Sequence, residues 1–374
     1  MSQTLNIALF SHSLVSDWNH GNAHFLRGLM RELVRMGHRV RCYEELGAWS
    51  LANLVQNEGE RGIEAIDSFR RCYPELDVRF YKPSEEHFQR FLEDELKETD
   101  VVLLHEWNEP YVVNRILALK KKLGFVALFH DSHHRAYTRA GEILKFHLHL
   151  VDGVLAFGEA IRRIYLEGFG VSRAWTFHEA ADVDQFRPLR RGRETDVVWI
   201  GNWGDEERTR ELEEFLIAPA AEMEGRRRVV AHGVRYPASA LAKLASAGIE
   251  YRGYLPNLLS PEVYARTALT IHVPRRQYAN GLSGIPTIRV FEALACGIPL
   301  ICSPWSDEEN LFYPGQDYVV VRDGKQMKSE LQRLLRDEKA RQQIGANGTR
   351  TIRERHTCAH RARQLISICE EIAR

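Results

Sequence analysis

The stretch Gly281–Pro299 is the most informative part of the sequence and reads Gly-Leu-Ser-Gly-Ile-Pro-Thr-Ile-Arg-Val-Phe-Glu-Ala-Leu-Ala-Cys-Gly-Ile-Pro. A glycine-bearing loop leads into a short helix that begins near Thr287 and ends at Gly297, where a C-terminal cap glycine belongs. Apolar runs at Leu269–Val273 and Pro299–Cys302 flank the helix and predict strands. The backbone N–H groups at such a helix start, with the positive end of the helix dipole, suit a phosphate group.

Two charged residues lie on one face of this predicted helix. Arg289 and Glu292 are three residues apart, and Ile288, Phe291 and Ala295 form the opposing apolar stripe. A carboxylate one turn into a phosphate-binding helix is well placed to bind ribose hydroxyls. The alternative is a surface ion pair on a connecting helix, and spacing alone does not separate the two interpretations.

The same alternation of short apolar strands and amphipathic helices extends in both directions along the chain. Toward the N-terminus it begins with a strand at Leu5–Phe10, a helix at Asn22–Met36 and a strand at Val40–Glu44. Further predicted elements include a strand at Asp100–Leu104 and helices near Tyr111–Leu123, Ala140–Leu150 and Thr209–Met223. Continuously apolar strands that alternate with helices are typical of a parallel sheet covered on both faces. The polar segment Gln185–Thr195 interrupts the alternation, so we expect two consecutive parallel α/β domains that face a cleft.

Composition limits the classes of function. The chain has 374 residues, enough for about two domains. Its 51 Lys and Arg balance 51 Asp and Glu, so no bulk positive charge favours nucleic acid as a partner. The N-terminus lacks the pattern of a secretory signal, and six cysteines without a Cys-x-x-Cys pair are typical of reduced thiols. We therefore expect a cytoplasmic protein that does not bind nucleic acid.

Polar residues follow several predicted strands, at the edge where ligands bind in open parallel sheets. In the first half these residues include His12, His105 and His130, and Gly21-Asn22 opens the first helix. In the second half Gly201-Asn202 and His232 follow strands.

The second half of the chain resembles a known enzyme family. The loop and helix at Gly281–Pro299 are similar to the donor-binding motif of retaining GT-B glycosyltransferases, the glycosyl transferases group 1, and most of all to the spore-maturation-protein (CgeB-like) branch. Further similarity lies at Gly253–Pro256 with Tyr264, at Phe312–Asp317 and at Glu179–Pro188. The resemblance is strong over Asp182–Arg355 and weaker over the N-terminal half.

The resemblance implies an α/β protein with the GT-B fold, built from two Rossmann-like parallel-sheet domains. An N-terminal acceptor-side domain would cover residues 1–185 and a nucleotide-sugar-binding domain residues 186–356. A helix over residues 357–374 would pack back on the first domain. The implied activity is transfer of a sugar, of hexosyl type, from a UDP- or GDP-type donor to an unidentified acceptor, with retention and without metal or cofactor.

Residue roles follow from the same resemblance. Glu292 would bind the donor ribose, Arg208 would neutralise the departing phosphate, and His130 would contact the transferred sugar. The backbone of Pro286–Ile288 would hold the diphosphate and that of Tyr254-Leu255 would face the base. The implied catalytic residues are His130, Arg208 and Glu292, and the implied donor-binding residues are Gly21, Asn22, Gly201, Asn202, His232, Tyr254, Leu255, Arg275, Pro286, Thr287, Ile288 and Arg289.

One position departs from the family pattern. The larger family has a glutamate seven residues before the position of Glu292, and here Gly284 stands there. Contacts to the donor sugar would then come from Arg275, Asn280 or the backbone of Gly281–Gly284. Two alternatives therefore stay open: another nucleotide-sugar enzyme on this fold, such as an epimerase or phosphorylase, or a binding protein without catalysis.

Three further patterns have simpler interpretations. Asp182-Val-Asp184 has the spacing of a metal-binding pair but lies in the inter-domain segment, and the histidines around His130 lack zinc-site spacing. We therefore expect no metal site. Lys325–Arg374 holds 12 Lys and Arg against 6 Asp and Glu. That excess predicts either a solvated helical face or weak contact with an anionic membrane surface.

Overall fold

The computed structural model describes residues 4–204, 208–223, 225 and 227–374. The chain forms two compact units: unit 1 comprises Met1–Glu179 with Cys358–Arg374, and unit 2 comprises Ala180–Thr357. Each unit is built on one parallel sheet with helices, as the sequence predicts. Within the described ranges, no helix is both long and apolar enough to cross a membrane.

Unit 1 contains a seven-stranded sheet in the order β3-β2-β1-β4-β5-β6-β7, with every pair parallel. The central strand β4 reads Val-Val-Leu-Leu-His and is buried throughout, as a strand covered on both faces must be. The strands are β1 (Asn6–Phe10), β2 (Arg39–Glu45), β3 (Asp77–Tyr81), β4 (Val101–His105), β5 (Val126–Asp131), β6 (Gly153–Ala156) and β7 (Ala174–Thr176).

The helices of unit 1 connect these strands. Pro110 occupies the first turn of α5, where its missing N–H costs nothing, and Gly124 ends that helix with a φ of 79°. The helices before the unit boundary are α1 (Ala23–Arg35), α2 (Trp49–Glu58), α3 (Glu60–Cys72), α4 (Phe88–Leu96), α5 (Pro110–Leu123), α6 (Arg135–Thr138), α7 (Ala140–Ile143) and α8 (Glu159–Arg163). A 3₁₀ turn lies at Leu148–Leu150, and a π-helical turn at Ile164–Gly168.

Unit 2 contains a six-stranded parallel sheet in the order β10-β9-β8-β11-β12-β13. Its strands are β8 (Thr195–Ile200), β9 (Val229–His232), β10 (Ile249–Tyr251), β11 (Thr267–His272), β12 (Leu300–Cys302) and β13 (Val319–Val320). Its helices are α9 (Thr209–Leu212), α10 (Ala218–Ala221), α11 (Ala238–Ser246), α12 (Ser260–Ala265), α13 (Arg276–Asn280), α14 (Ile288–Cys296), α15 (Gly324–Arg336) and α16 (Glu338–Arg355). The core joins buried side chains of β8, β9 and β11 to those of α11 and α15.

The last helix, α17 (Cys358–Ala373), returns to unit 1 and packs against α1. Arg361 Nε donates to the carbonyl oxygen of His178 at 2.9 Å, and Gln364 Nε2 donates to that of Thr176 at 2.8 Å. The predicted return of the C-terminal helix to the first domain is confirmed.

The unit boundary differs from the predicted position at residue 185. The chain divides between Glu179 and Ala180, and again between Thr357 and Cys358. Ala181 pairs with Thr357, and the side chain of Phe186 is buried. The first part of the predicted linker is therefore an ordered part of unit 2.

Two predicted helices are interrupted. The stretch predicted as one helix over Ala140–Leu150 contains only α7 and the 3₁₀ turn, because the Asn114 side chain bonds the Lys145 carbonyl and the His147 N–H between them. A π-helical turn at Glu213–Ile217 interrupts the predicted helix Thr209–Met223. Pro219 follows this turn and has no N–H to continue the α-helical ladder.

Candidate functional site

The start of α14 lies beside the end of β11 in unit 2. Thr287 precedes the helix in an extended conformation, and its Oγ1 lies 3.0 Å from Nε2 of His272, the last residue of β11. Gly297 ends the helix with a φ of 72°, as predicted. This contact fixes the end of β11 next to the start of α14. The positive end of the α14 dipole favours an anionic ligand at this position.

Glu292 lies one turn into α14 and is fully buried. Its Oε1 accepts a hydrogen bond from Asn257 Nδ2 at 2.6 Å, and its Oε2 pairs with Arg289 Nη1. The predicted contact between Arg289 and Glu292 is present, and the alternative of a surface ion pair is wrong because the carboxylate is buried. A carboxylate can accept about four hydrogen bonds, so ligand hydroxyls can share this one.

Arg208 is held by backbone carbonyls at the ends of two strands. Its Nη1 donates to the carbonyl oxygen of Val273 at 3.1 Å, and its Nη2 to that of Asn202 at 2.6 Å. Its guanidinium also lies 5.4 Å from the centre of the Trp199 ring. Asn202 Oδ1 in turn accepts from the Val234 N–H at 2.9 Å. Arg208 and Asn202, both predicted site residues, are therefore in direct contact.

The charges of Arg208 and Arg289 both act on the imidazole of His272. Burial, followed by the charges of Arg208 and Arg289, lowers the pKa of His272 to about 3. The imidazole is therefore neutral at physiological pH. The guanidinium group of Arg208 brings positive charge suited to a phosphate group to this edge of the unit 2 sheet, while that of Arg289 is paired with Glu292.

The ends of β8 and β9 approach each other closely at two glycines. Gly233 has a φ of 155°, and a Cβ at this position would lie 2.1 Å from the carbonyl oxygen of Gly201. That oxygen also accepts from the Tyr236 hydroxyl at 2.7 Å. His232, the last residue of β9, is buried next to this contact. Only glycine fits here, so Gly201 is part of a tightly packed strand end.

The remaining predicted residues of unit 2 lie in loops and at helix starts. Tyr254, Pro286 and Ile288 are buried, and Leu255 and Arg275 are half-buried. Gly284 is buried with a φ of 85°, and a Cβ there would lie 3.3 Å from Cβ of Glu308. The roles of Tyr254, Leu255 and Arg275 in donor binding stay predictions.

In unit 1 four histidines form a chain at the carboxyl edge of the sheet. Ring centres of His130 and His105 are 5.3 Å apart, those of His105 and His20 are 6.0 Å apart, and those of His20 and His12 are 5.4 Å apart. Burial lowers the pKa of His130 and His12 to about 4 and that of His20 and His105 well below the usual value. All four rings are neutral at physiological pH.

Asn22 reaches this histidine chain through Ser132. Asn22 Nδ2 donates to Ser132 Oγ at 2.6 Å, and the same Oγ lies 2.9 Å from His105 Nε2. Gly21 precedes Asn22 at the entry to α1. Of the residues predicted in this unit, Asn22 and His130 are thus linked through His105.

Charged side chains next to the histidine chain of unit 1 form ion pairs and hydrogen bonds. Arg135 forms an ion pair with the buried Glu106, and Arg27 lies 3.1 Å from Asp17. Asp131 accepts from the Tyr165 hydroxyl at 2.7 Å, and its burial raises the pKa of its carboxyl to about 6. Each arginine is therefore paired with a carboxylate, but Arg135 also has a buried Nε without a hydrogen-bond partner among the described residues, and its guanidinium lies 4.2 Å from the centre of the Trp107 ring.

Several residues that contact the predicted site residues were themselves given no role by the sequence analysis. Asn257 and His272 contact predicted residues of unit 2, and Ser132, His105 and His20 complete the cluster of unit 1. The available signal for His105 and His272 was their position at strand ends. Ser132 lies in the polar run that follows the predicted strand Phe125–Phe129, and Asn257 carried no such signal.

The expected absence of a metal site stays a prediction. Among the residues that the structure describes, no group of three His, Cys, Asp or Glu side chains could hold a metal ion. Asp182 Oδ1 accepts from the Asp184 N–H at 3.2 Å, which is a turn contact between the two acids of the candidate pair.

Two family models match the chain, one over most of each unit. Residues 21–185 match the model described as Glycosyltransferase Family 4, and residues 208–367 match the one described as Glycosyl transferase-like. No curated protein matches significantly in sequence.

Solved structures resemble the chain over nearly its whole length. Sucrose-phosphate synthase from Thermosynechococcus elongatus has a TM-score of 0.67 at 14% identity, covering 98% of this chain and 99% of its own. The chain has the GT-B fold. A glycosyltransferase from Rickettsia africae has a TM-score of 0.66 at 12% identity with full coverage of both chains. HepE from Anabaena, solved in complex with UDP and glucose, has a TM-score of 0.70 at 11% identity, covering 98% of this chain and 99% of its own.

Proposed function

We propose that this protein is a glycosyltransferase that moves a sugar from a nucleotide-diphosphate donor of UDP or GDP type to an acceptor. The observation that carries the proposal is the buried Glu292, bonded by Asn257 and Arg289 one turn into α14. A buried carboxylate next to a helix start suits the adjoining ribose and diphosphate of such a donor. Glycosyltransferase family models matched to both units support the same assignment.

In this proposal unit 2 binds the donor. Ribose hydroxyls donate to Glu292, and the diphosphate lies at the start of α14, at Pro286–Ile288. Arg208 stabilises the negative charge that develops on the leaving phosphate, which is electrostatic transition-state stabilisation. Arg275, Asn280 and the backbone of Gly281–Gly284 contact the donor sugar, because Gly284 supplies no carboxylate.

Unit 1 contributes His130 toward the transferred sugar, with Gly21 and Asn22 at the start of α1. The transfer proceeds with retention of anomeric configuration, and the leaving phosphate helps to remove the proton of the acceptor hydroxyl. It requires neither metal nor cofactor. Weak contact of the basic stretch 325–374 with anionic membranes is a further proposal; the stretch itself divides between unit 2 and α17 of unit 1.

The proposal is tested by measuring UDP and GDP binding by calorimetry and nucleotide release from a panel of UDP- and GDP-sugars. We expect binding of one nucleotide and release that persists in EDTA. The anomeric configuration of the product, read by proton NMR, tests retention. Absence of nucleotide binding and of release from every donor would overturn the assignment.

Gly284 favours one alternative, a nucleotide-sugar-binding protein without turnover. The buried glycine occupies the position where the family carries a carboxylate, and its φ of 85° disfavours other residues. Such a protein would bind the nucleotide as the enzyme does. It would release no nucleoside diphosphate in the presence of any acceptor, which separates the two functions.

A further inference from the structure

Three side chains of unit 2 form a line of contacts that ends at the start of α14. His272 Nδ1 lies 3.7 Å from Cys302 Sγ, and His272 Nε2 lies 3.0 Å from Thr287 Oγ1. His272 and Cys302 are paired residues at the ends of the parallel strands β11 and β12, which places their side chains on the same face of the sheet. Both are buried, whereas Thr287 is half-buried. The contacts therefore connect the core of unit 2 to a hydroxyl that a ligand can reach.

Thr287 does not cap α14 in the usual way. A threonine that precedes a helix commonly accepts a hydrogen bond from a backbone N–H of the first turn through its hydroxyl. The Thr287 side chain makes no such cap bond, and its hydroxyl contacts His272 instead. Helix capping therefore does not explain this threonine, and the histidine determines how its hydroxyl is oriented.

The protonation states of the three groups allow only two arrangements of the hydrogen bonds. Burial raises the pKa of the Cys302 thiol, so the thiol keeps its proton. The imidazole of His272, with its pKa lowered to about 3, is neutral and has one N–H. If that proton is on Nε2, the thiol donates to Nδ1, Nε2 donates to Thr287 Oγ1, and the hydroxyl proton is available to a ligand. If it is on Nδ1, the hydroxyl donates to Nε2 and offers a ligand only its lone pairs.

A diphosphate at the start of α14 favours the first arrangement. Phosphate oxygens are negatively charged acceptors, so they repel the lone pairs of a hydroxyl but form a charge-assisted hydrogen bond with its proton. The Cys302 thiol favours the same arrangement, because its S–H can donate to His272 Nδ1 only when that nitrogen carries no proton.

We propose that His272 is a positioning residue for the donor diphosphate, which together with Cys302 fixes the Thr287 hydroxyl as a hydrogen-bond donor to a phosphate oxygen. The proposal rests on the proposed donor-binding function of unit 2. It adds a side-chain donor to the backbone of Pro286–Ile288, and His272 acts through Thr287 without touching the ligand.

Calorimetric affinities of the full chain for UDP and for uridine test the role of the hydroxyl, with GDP and guanosine for a GDP-type donor. Thr287→Val keeps the shape of the side chain but removes the hydroxyl. It is expected to weaken UDP binding roughly 10-fold and to leave uridine binding unchanged, because uridine has no phosphate. Thr287→Ser keeps the hydroxyl and should retain the UDP affinity within about 2-fold. Equal UDP affinities in the two variants would overturn the proposal.

Variants of His272 separate positioning from packing. His272→Leu leaves the Thr287 hydroxyl without its fixed orientation and is expected to weaken UDP binding roughly 3- to 10-fold, again without a loss for uridine. His272→Gln should recover most of the UDP affinity, because its amide can donate to Thr287 Oγ1 in place of Nε2. His38→Leu, at a buried histidine of unit 1, is the control and should bind UDP normally. Equal losses in the Leu and Gln variants of His272, or parallel losses for UDP and uridine, would show a structural role and contradict positioning.

The tautomer of His272 is measured by NMR on the full chain labelled with ¹⁵N-histidine, in which the His272 ring signals are those that His272→Gln removes. We expect the proton on Nε2 in the UDP complex. Cys302→Ala removes the donor to Nδ1 and is expected to add a population with the proton on Nδ1. A wild-type ring that carries its proton on Nδ1 with UDP bound would show that the proposal is wrong.

The outcomes separate this inference from the function on which it rests. If the wild type binds UDP or GDP, and Thr287→Val and His272→Leu bind the same nucleotide equally well, the positioning role is wrong and the donor assignment stands. If the wild type binds neither nucleotide, the donor assignment is wrong and the positioning role is wrong with it.

Discussion

Arg27 and Glu44 bind the same two loop residues, Leu14 and Val15, Arg27 at their carbonyl oxygens and Glu44 at their N–H groups. Glu44, at the end of β2, accepts hydrogen bonds from the N–H groups of Leu14 and Val15, the latter at 3.0 Å. Arg27, on α1, donates to the carbonyl oxygens of the same two residues at 2.7 and 3.0 Å. Both side chains are buried. The loop that carries His12 and His20 is thereby fixed on both sides of its backbone.

Glu44 makes the stability of unit 1 depend on pH. Burial raises the pKa of the Glu44 carboxyl from 4.5 to about 7, although its hydrogen bonds and the charge of Arg27 act in the opposite direction. Cys42 and Tyr81 are the other titratable groups that interact with this carboxyl. The folded state then binds more protons between these two values. The contribution of Glu44 to the free energy of unfolding therefore falls by up to about 3 kcal/mol as pH rises from about 4.5 to 7, and it changes no further above pH 7. The four histidines of the same unit act in the opposite sense, because their lowered pKa values make the unfolded state bind more protons below about pH 6.5.

Glu44→Gln is expected to remove the contribution of Glu44, so that the stability of the variant rises more with pH than that of the wild type, because the amide stays neutral while its oxygen still accepts from the loop. The measurement is the calorimetric Tm of the unit 1 transition between pH 5 and 8. Glu85→Gln, at an exposed glutamate, is the control and should keep the wild-type slope. An unchanged slope in the Glu44 variant would assign the pH dependence to other groups.

The strand and helix pattern was predictable wherever local apolar periodicity reflects burial. β4, α5 and α14 lie within one or two residues of their predicted positions. α3 was not predicted, although Ile63, Ile66 and Phe69 recur at a spacing of three residues. Phe69 is buried, whereas Ile63 is 53% exposed, so this apolar stripe is only partly a core face.

The contacts of the site were predictable only where both residues lie on one helix. Glu292 and Arg289 lie on one helix, so their spacing determines their contact. Asn257 and Glu292 are 35 residues apart, and His105 and Ser132 are 27 apart. Those contacts depend on strand order and loop path, which one sequence does not reveal.

Glu292→Gln is expected to weaken UDP or GDP binding roughly 10- to 100-fold, since hydrogen bonds to a charged group contribute about 1.5–3 kcal/mol. Calorimetric titration measures the change. The variant also leaves Arg289 without its buried partner, so its Tm must be recorded at the same time. Glu250→Gln, at an exposed glutamate paired with Arg252, is the control and should bind nucleotide normally. A folded Glu292 variant with full affinity contradicts the ribose role.

Arg208→Ala is expected to lower kcat by roughly 10²–10³-fold, the range seen when one group that stabilises transition-state charge is removed. Arg208→Lys should recover part of this loss, because the ammonium keeps the charge but cannot span the carbonyls of Val273 and Asn202. The measurement is steady-state release of nucleoside diphosphate. Arg210→Ala, at an exposed arginine two residues away, is the control. Equal kcat in the Arg208→Ala and Arg210→Ala variants would remove Arg208 from the mechanism.

Gly233→Ala tests whether the close approach of β8 and β9 supports the donor site. The added Cβ would lie 2.1 Å from the Gly201 carbonyl oxygen, a backbone atom that cannot rotate away, so the strand ends must separate. We expect a loss of stability of at least 1–3 kcal/mol, seen as a lower Tm, and weaker nucleotide binding at 25 °C. Gly192→Ala, where no atom lies within 4 Å of the added Cβ, should change stability by less than about 0.5 kcal/mol. A lower Tm with unchanged nucleotide affinity would show that the glycine contact supports the fold of unit 2 but not its ligand site.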